Sequence, residues 1–159
     1  MSIPAMKVIT AWSARFVEHE SWKHKLSRGK RSKDNNSQTG VPHGDAPTIF
    51  YRIELGDVSI AFTSGQNGSG PTFTDFIRGV DFLVIHLAAS EDAIGFVAEL
   101  HAKPSVWGKM ATDAGVGHVV VSHISTSSPK ALKQSLVIFR NNYSGALTVA
   151  EDLMCVELN

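Results

Sequence analysis

Seven histidines in 159 residues are the side chains whose type and position point most directly to chemistry. His86 and His123 each stand near the end of an apolar run of strand length, and His43 and His101 lie in segments that flank such runs. In α/β proteins, ligands and catalytic groups gather beyond the carboxyl ends of the strands, so His86 and His123 are expected to share one cleft. Neutral imidazole binds zinc and several other transition metals. This placement predicts a metal site, and a hydrogen-bonded structural role for each histidine is the alternative.

The spacing of the histidines along the chain does not by itself define such a site. A catalytic zinc normally has three protein ligands, and the sequence contains no H-x-H or H-E-x-x-H pair. A metal site must therefore be assembled from residues that are far apart in the chain. The other three histidines, His19, His24 and His118, are expected to be surface or structural residues.

Other catalytic and phosphate-binding patterns are absent from the sequence. The loop TSGQNGSGP follows a β-rich run but contains neither G-x-G-x-x-G nor G-x-x-x-x-G-K, so it is expected to be a plain connection. No G-x-S-x-G elbow of a serine hydrolase occurs. The single cysteine, Cys155, lies in an apolar terminal segment and is predicted to be a core residue. One cysteine also excludes an intrachain disulfide.

Charge is balanced over the whole chain but concentrated in one place. Fifteen basic and fifteen acidic residues give a net charge of zero, which excludes a basic field over the whole molecule. Six of the cations fall between residues 22 and 33, where there is no acid: Lys23, Lys25, Arg28, Lys30, Arg31 and Lys33. A small nucleic-acid-binding protein that uses residues 22–33 for phosphate contacts is therefore one alternative.

The elements that position the histidines are predicted from residue 48 onward. The β-rich runs TIFYRIEL and VSIAFTS are separated by a Gly-Asp pair and predict a hairpin. Strands are predicted in DFLVIHLAA and HVVVSH. Two further short strands are predicted on either side of residues 151 and 152. Capping residues, prolines and glycines predict helices over residues 72–79, 90–101, 104–115 and 129–142.

This order of elements predicts an α/β (α+β) fold, in which a mixed β-sheet carries helices on one face. Residues 1–40 are predicted to be a poorly patterned segment with a basic loop, and residues 41–159 the folded domain. The sequence shows no apolar run long enough to span a membrane and no signal-peptide pattern. A cytoplasmic protein without membrane contact is therefore expected.

Four segments together resemble the C-terminal half of a metallo-β-lactamase-fold hydrolase of the ribonuclease Z-like or phosphodiesterase-like branch. They are VPHGDAPTIFYRIELGDVSIAFTSGQNG, GVDFLVIHLAAS, LHAKPSVWGKMATDAGVGHVVVSHIS and SGALTVAEDLMCVEL. The third segment is the most specific of them. The resemblance covers residues 41–158 and implies one half of an αββα sandwich.

In that family a metal site, usually with two zinc ions, activates a water that attacks an ester or amide. The resemblance implies that His43 and His123 are metal ligands and that His101 assists proton transfer. His86 falls where relatives often carry an acidic residue, and it is a further candidate ligand. Metal-dependent hydrolysis of an ester or phosphodiester, with zinc as the cofactor, is the activity that the resemblance implies.

Two departures from the family pattern predict an incomplete metal site. The motif H-x-H-x-D-H, which supplies most of the ligands, is absent. The position of the bridging aspartate holds Gly65 or, with a shift of one residue, Gln66, and neither offers a carboxylate. A non-catalytic truncated remnant or interaction module of the same fold is therefore an alternative to an enzyme.

Half of a sandwich is expected to leave one face of the sheet without helices. Exposing about eight to ten apolar side chains there would forfeit about 1.5–3 kcal/mol each, against a typical net stability of about 5–15 kcal/mol. An apolar surface of that size marks an association site. Self-association, or a partner that covers the open face, is therefore expected.

Overall fold

The computed structural model of the chain describes residues 25–28, 48, 50–55, 57–126 and 128–158. The described strands are β1 (Lys25–Arg28), β2 (Tyr51–Leu55), β3 (Val58–Phe62), β4 (Phe82–His86), β5 (His118–Ser122) and β6 (Ala146–Val149). The described helices are α1 (Pro71–Phe76), α2 (Phe96–Leu100), α3 (Pro104–Asp113) and α4 (Pro129–Arg140). From β2 to β6, the elements follow the predicted order.

The described strands form one mixed sheet in which neighbours in sequence are neighbours in space. β1, β2 and β3 pair antiparallel, and the predicted hairpin is present with Ile53 opposite Ile60. β3, β4, β5 and β6 pair parallel, and helices make the connections between them. Parallel strands end at the same edge of the sheet, so the residues that follow β3, β4, β5 and β6 are brought together there.

The main core lies between one face of the sheet and helices α1, α3 and α4. The sheet contributes alternate residues of the parallel strands, such as Leu83 and Val121. Against them pack Phe73 of α1, Trp107 of α3 and Phe139 of α4, all buried. In the described part of the chain, the helices therefore cover one face of the sheet, as predicted.

The opposite face of the sheet carries a smaller apolar cluster. Ile60, Phe82 and Val120 at its centre are only 1%, 7% and 7% exposed. Val156 and Leu158, from the end of the chain, pack against this cluster. The expectation of a face open to water is therefore wrong at the centre of the face. Self-association stays a prediction without that support.

Two helices begin at residues other than those predicted: α2 begins later and α1 begins one residue earlier. The helix expected from residue 90 starts only at Phe96, because residue 95 is a glycine with φ +56° that interrupts the helical backbone. Glu91, which lies in the part of the predicted segment that is not helical, accepts hydrogen bonds from the backbone N–H and the hydroxyl of Ser105 at the start of α3. α1 starts at residue 71 after a glycine, so Thr72 is not its cap.

The ends of the described chain also differ from prediction. Of the two terminal strands, only β6 forms: residues 152–153 turn the chain, with Leu153 at φ +66°, and no strand follows among the described residues. Cys155 beyond that turn is exposed, so its predicted core position is wrong. β1 lies in the polar segment for which no strand was predicted. None of the helices in the described ranges is long and apolar enough to cross a membrane.

Gly108 allows α3 and α4 to approach each other closely. A Cβ atom at this position would lie 2.6 Å from the Phe139 carbonyl oxygen and 2.9 Å from Asn142 Cβ. We expect Gly108→Ala to lower the free energy of unfolding by about 1–3 kcal/mol, because the backbone of the α4 end must move. Urea unfolding followed by circular dichroism measures the change. Lys109→Ala, on the exposed side of α3, is the matched control, and equal stability of the two variants would contradict the packing.

Candidate histidine site

His86 is held at the carboxyl end of β4 by contacts of its backbone. Its carbonyl oxygen accepts a hydrogen bond of 3.0 Å from the Trp107 indole N–H. Ser122, its partner in β5, donates its hydroxyl hydrogen to the Ile85 carbonyl, and the Ser122 carbonyl accepts from the Leu87 N–H. The main chain on either side of His86 is thereby fixed to α3 and β5.

His123 follows β5 directly and brings its ring beside that of His86. Its φ of +45° lies in the left-handed region, which residues other than glycine seldom adopt. The two Nδ1 atoms are 3.3 Å apart, and the ring centroids are 4.8 Å apart. The adjacent ends of two parallel strands thus place two imidazoles in contact.

His101 joins this pair from the segment between α2 and α3. Its ring centroid lies 5.9 Å from that of His123. The next residue, Ala102, is anchored by a backbone hydrogen bond of 2.6 Å to the Gln66 carbonyl. The structure therefore brings together His86, His101 and His123, whereas His43, His19 and His24 lie outside the described residues.

An open cleft of about 500 Å³ borders the histidine pair. It is lined by His86, Ser122, His123, Ile124, Ala150, Glu151 and Asp152. Sequence reasoning missed the two carboxylates. The available signal was their position directly after the last parallel strand, since that strand ends at the same edge as β4 and β5.

Gln66 occupies the loop after the hairpin, where the resemblance implied a carboxylate. Its side chain is 0% exposed, and neither amide atom has a hydrogen-bond partner among the described residues. Its carbonyl contact with Ala102 places it next to the segment that carries His101. The residue buried in this loop is therefore a neutral amide.

The described residues fit part of a site for one metal ion. Two nitrogens at about 2.0–2.1 Å from a tetrahedral zinc lie about 3.3–3.4 Å apart, and the Nδ1 atoms of His86 and His123 have that separation. Among the described residues, no three histidine, cysteine, aspartate or glutamate side chains stand close enough to hold an ion. The pair thus fits two positions of a single ion, and this part of the chain does not fit a dinuclear site.

His118 has a structural environment at the opposite end of β5. Its Nε2 atom lies 2.8 Å from the Thr148 hydroxyl, and its ring packs on Phe82. Burial, and then the charge of Arg140, lower the pKa of the His118 imidazole below 6.5. His118 lies at the start of β5, whereas the candidate site lies at the other end of that strand, and His118 does not line the cleft.

Comparison with solved structures identifies the class of fold. No family model and no curated protein matches the sequence. The chain has the metallo-β-lactamase fold over about 70% of its length, and it spans less than half the length of the solved chains that it matches. Identities are below 20%, so the likeness establishes the fold alone.

Three of these structures illustrate the match. The metallo-β-lactamase fold protein YhfI from Bacillus subtilis is 19% identical with a TM-score of 0.62, and the match covers 71% of this chain and 45% of that one. The short form of human tRNase Z is 15% identical, with a TM-score of 0.53 and coverages of 72% and 39%. Zinc-bound PqqB from Methylobacterium extorquens is 18% identical, with a TM-score of 0.52 and coverages of 69% and 40%.

The lowered pKa of His118 predicts a loss of stability in mild acid. Because the unfolded chain has the higher pKa, it binds the proton more readily, so the free energy of unfolding falls as the pH falls below about 6.5. His118→Gln removes this contribution. We expect urea unfolding at pH 7.5 and 5.5 to show a smaller loss for the variant than for the wild type. Equal losses would contradict the assignment.

Gln66 provides a second test of stability. If the buried amide makes no hydrogen bond, Gln66→Met, which keeps the length of the side chain, leaves the free energy of unfolding unchanged or raises it by about 1–2 kcal/mol. Urea unfolding measures this change, with Thr63→Val at a buried hydroxyl that donates to the Ser64 carbonyl as the control. The control is expected to lose about 1 kcal/mol. A loss of that size in Gln66→Met would reveal a partner for the amide.

Proposed function

We propose that this chain is the C-terminal half of a metallo-β-lactamase-fold hydrolase and that His86 and His123 hold one divalent metal ion, with zinc as the expected ion. The 3.3 Å separation of their Nδ1 atoms is the observation that supports this assignment most directly. The fold itself and the zinc-bound state of the similar protein PqqB also favour it.

The ion needs at least one further protein ligand, because a catalytic zinc normally has three. His43 is the candidate that the resemblance supplies, and it lies outside the described residues. When bound, the ion would lower the pKa of a coordinated water and polarise the bond to be hydrolysed. Acyl esters and phosphodiesters are the proposed substrate classes.

His101 is the proposed proton donor beside the histidine pair. Its ring contacts that of His123 edge to face, with the centroids 5.9 Å apart, so a group bound at the histidine pair would lie beside it. An imidazole exchanges protons near neutral pH, so it can give one to a leaving alcohol. The backbone bond from Ala102 to Gln66 keeps the His101 segment in place while this occurs.

Zinc affinity tests the metal assignment without requiring any activity. The protein is purified with a chelator, and zinc is then titrated in competition with a chromogenic chelator. We expect His86→Ala and His123→Ala each to weaken binding by at least about a hundredfold, because outer-shell changes alone cost about 10–100-fold. His118→Ala is the matched control, since it removes a histidine at the opposite end of β5 that does not line the cleft. Unchanged affinity in both cleft variants would contradict the proposal.

Hydrolysis is tested separately with a chromogenic acyl ester and a chromogenic phosphodiester. The zinc-loaded chain is expected to act on one of them, and His101→Ala to lower kcat more than KM because proton transfer belongs to the reaction step.

A non-catalytic interaction module of the same fold is the second candidate. The neutral and buried Gln66 favours it, because two ions close together require anionic ligands. A chain that binds no zinc and folds normally, with His86→Ala and His123→Ala harmless, would establish this candidate. Self-association, cytoplasmic location and nucleic-acid binding through residues 22–33 stay predictions.

A further inference from the structure

The end of the described chain packs on the face of the sheet that the helices leave open. The apolar cluster on this face is centred on Ile60, Phe82 and Val120. Its other described members lie on the strands or directly after β6, with two exceptions, Val156 and Leu158. Among the described residues, these two side chains alone reach the cluster from beyond the last strand. The chain end therefore supplies a cover for this face.

The covering segment alternates between half-buried and exposed side chains. Met154, Val156 and Leu158 are half-buried, whereas Cys155 and Glu157 are exposed. A period of two is that of an extended backbone, which turns successive side chains to opposite sides. Residues 154–158, which we call the strap, therefore present one side to the sheet and the other to solvent.

The strap is joined to the histidine cleft through the turn at residues 151–153. Glu151 and Asp152, in this turn, line the cleft. The Met154 N–H, at the start of the strap, donates a hydrogen bond of 3.1 Å to the Glu151 carbonyl. Leu153 between them is 90% exposed, so its side chain adds little packing that would fix the turn. A movement of the strap is therefore passed directly to this wall of the cleft.

We propose that the strap is a displaceable cover, which in its closed position shields the apolar face and holds one wall of the histidine cleft. Val156 and Leu158 are its described contacts with the cluster, so it opens without unfolding the main core. Release uncovers the side of the cluster on which they pack, and an exposed apolar patch favours association. A second copy fits this face, because two identical faces can pack together about a two-fold axis. The strap thereby couples self-association to the shape of the cleft.

The single cysteine allows the cover to be tested by thiol accessibility. Val156→Cys in a Cys155→Ser background moves the thiol by one residue, from the exposed side of the strap to the half-buried side. We expect the moved thiol to react with a chromogenic disulfide reagent at least about tenfold more slowly than Cys155, because the reagent must wait for the strap to open. Urea well below the unfolding midpoint is expected to speed this reaction while the far-UV circular dichroism stays native.

The thiol rates can contradict the proposal in two ways. Equal rates for the two thiols without urea would overturn the cover. A moved thiol that becomes reactive only when the whole chain unfolds would overturn its displacement.

Aspartate substitutions at the same two positions test what release of the strap does. Val156→Asp places a charge against the apolar cluster, whereas Cys155→Asp, the matched control, places it on the exposed side. With reductant present, we expect only Val156→Asp to bind more of a fluorescent apolar dye and to sediment with a mass that rises with concentration. The imidazole NMR signals of His86 and His123 are expected to shift in this variant alone, because the cleft wall moves with the strap.

The outcomes separate the parts of this proposal, and none of the measurements requires a bound metal. A folded Val156→Asp that binds dye no better than Cys155→Asp would overturn the cover. Dye binding without a rise in mass would overturn the pairing of two copies, and unchanged imidazole signals would overturn the link to the cleft. If Val156→Asp does not fold, the thiol rates decide, since Val156→Cys keeps a small apolar side chain.

Discussion

The parallel pairing of β4 with β5 is the interaction on which the site depends. It sets His86 level with Ser122, so His123, the residue that follows β5, contacts the His86 imidazole. The 3.3 Å contact between their Nδ1 atoms is a hydrogen bond between neutral rings, which contributes only about 0.5–1.5 kcal/mol, so the sheet and its core must hold the rings in place. Trp107 links the core to the site, because its side chain is buried in the main core and its indole N–H donates a hydrogen bond to the His86 carbonyl.

The position of the site also follows from the alternation of side chains along β4. His86 is in phase with Phe82 and Val84, which belong to the face of the sheet without described helices. The imidazoles therefore lie where that face meets the carboxyl edge.

Much of the fold was predictable from sequence, because its signals are local. The apolar runs of β4 and β5, the hairpin pair and the proline at the start of α3 each determine the element in which they lie. The start of α2 was predicted too early, because Gly95 takes a left-handed φ and residues 90–95 are not helical, while Glu91 binds Ser105 of α3. The contact between His86 and His123 was predictable because both residues lie at the carboxyl ends of neighbouring strands. The two carboxylates that line the cleft were missed because residues 151–152 were assigned only as a turn between strands.

The exposed Cys155 has a practical consequence for handling the protein. As the single cysteine in the chain, it has no intramolecular partner for oxidation. In air, two molecules can therefore be joined through this one thiol, producing a covalent dimer that is unrelated to any affinity between their surfaces. A dimer that disappears when reductant is added is held by this disulfide. Only a dimer that remains after reduction is evidence of non-covalent association.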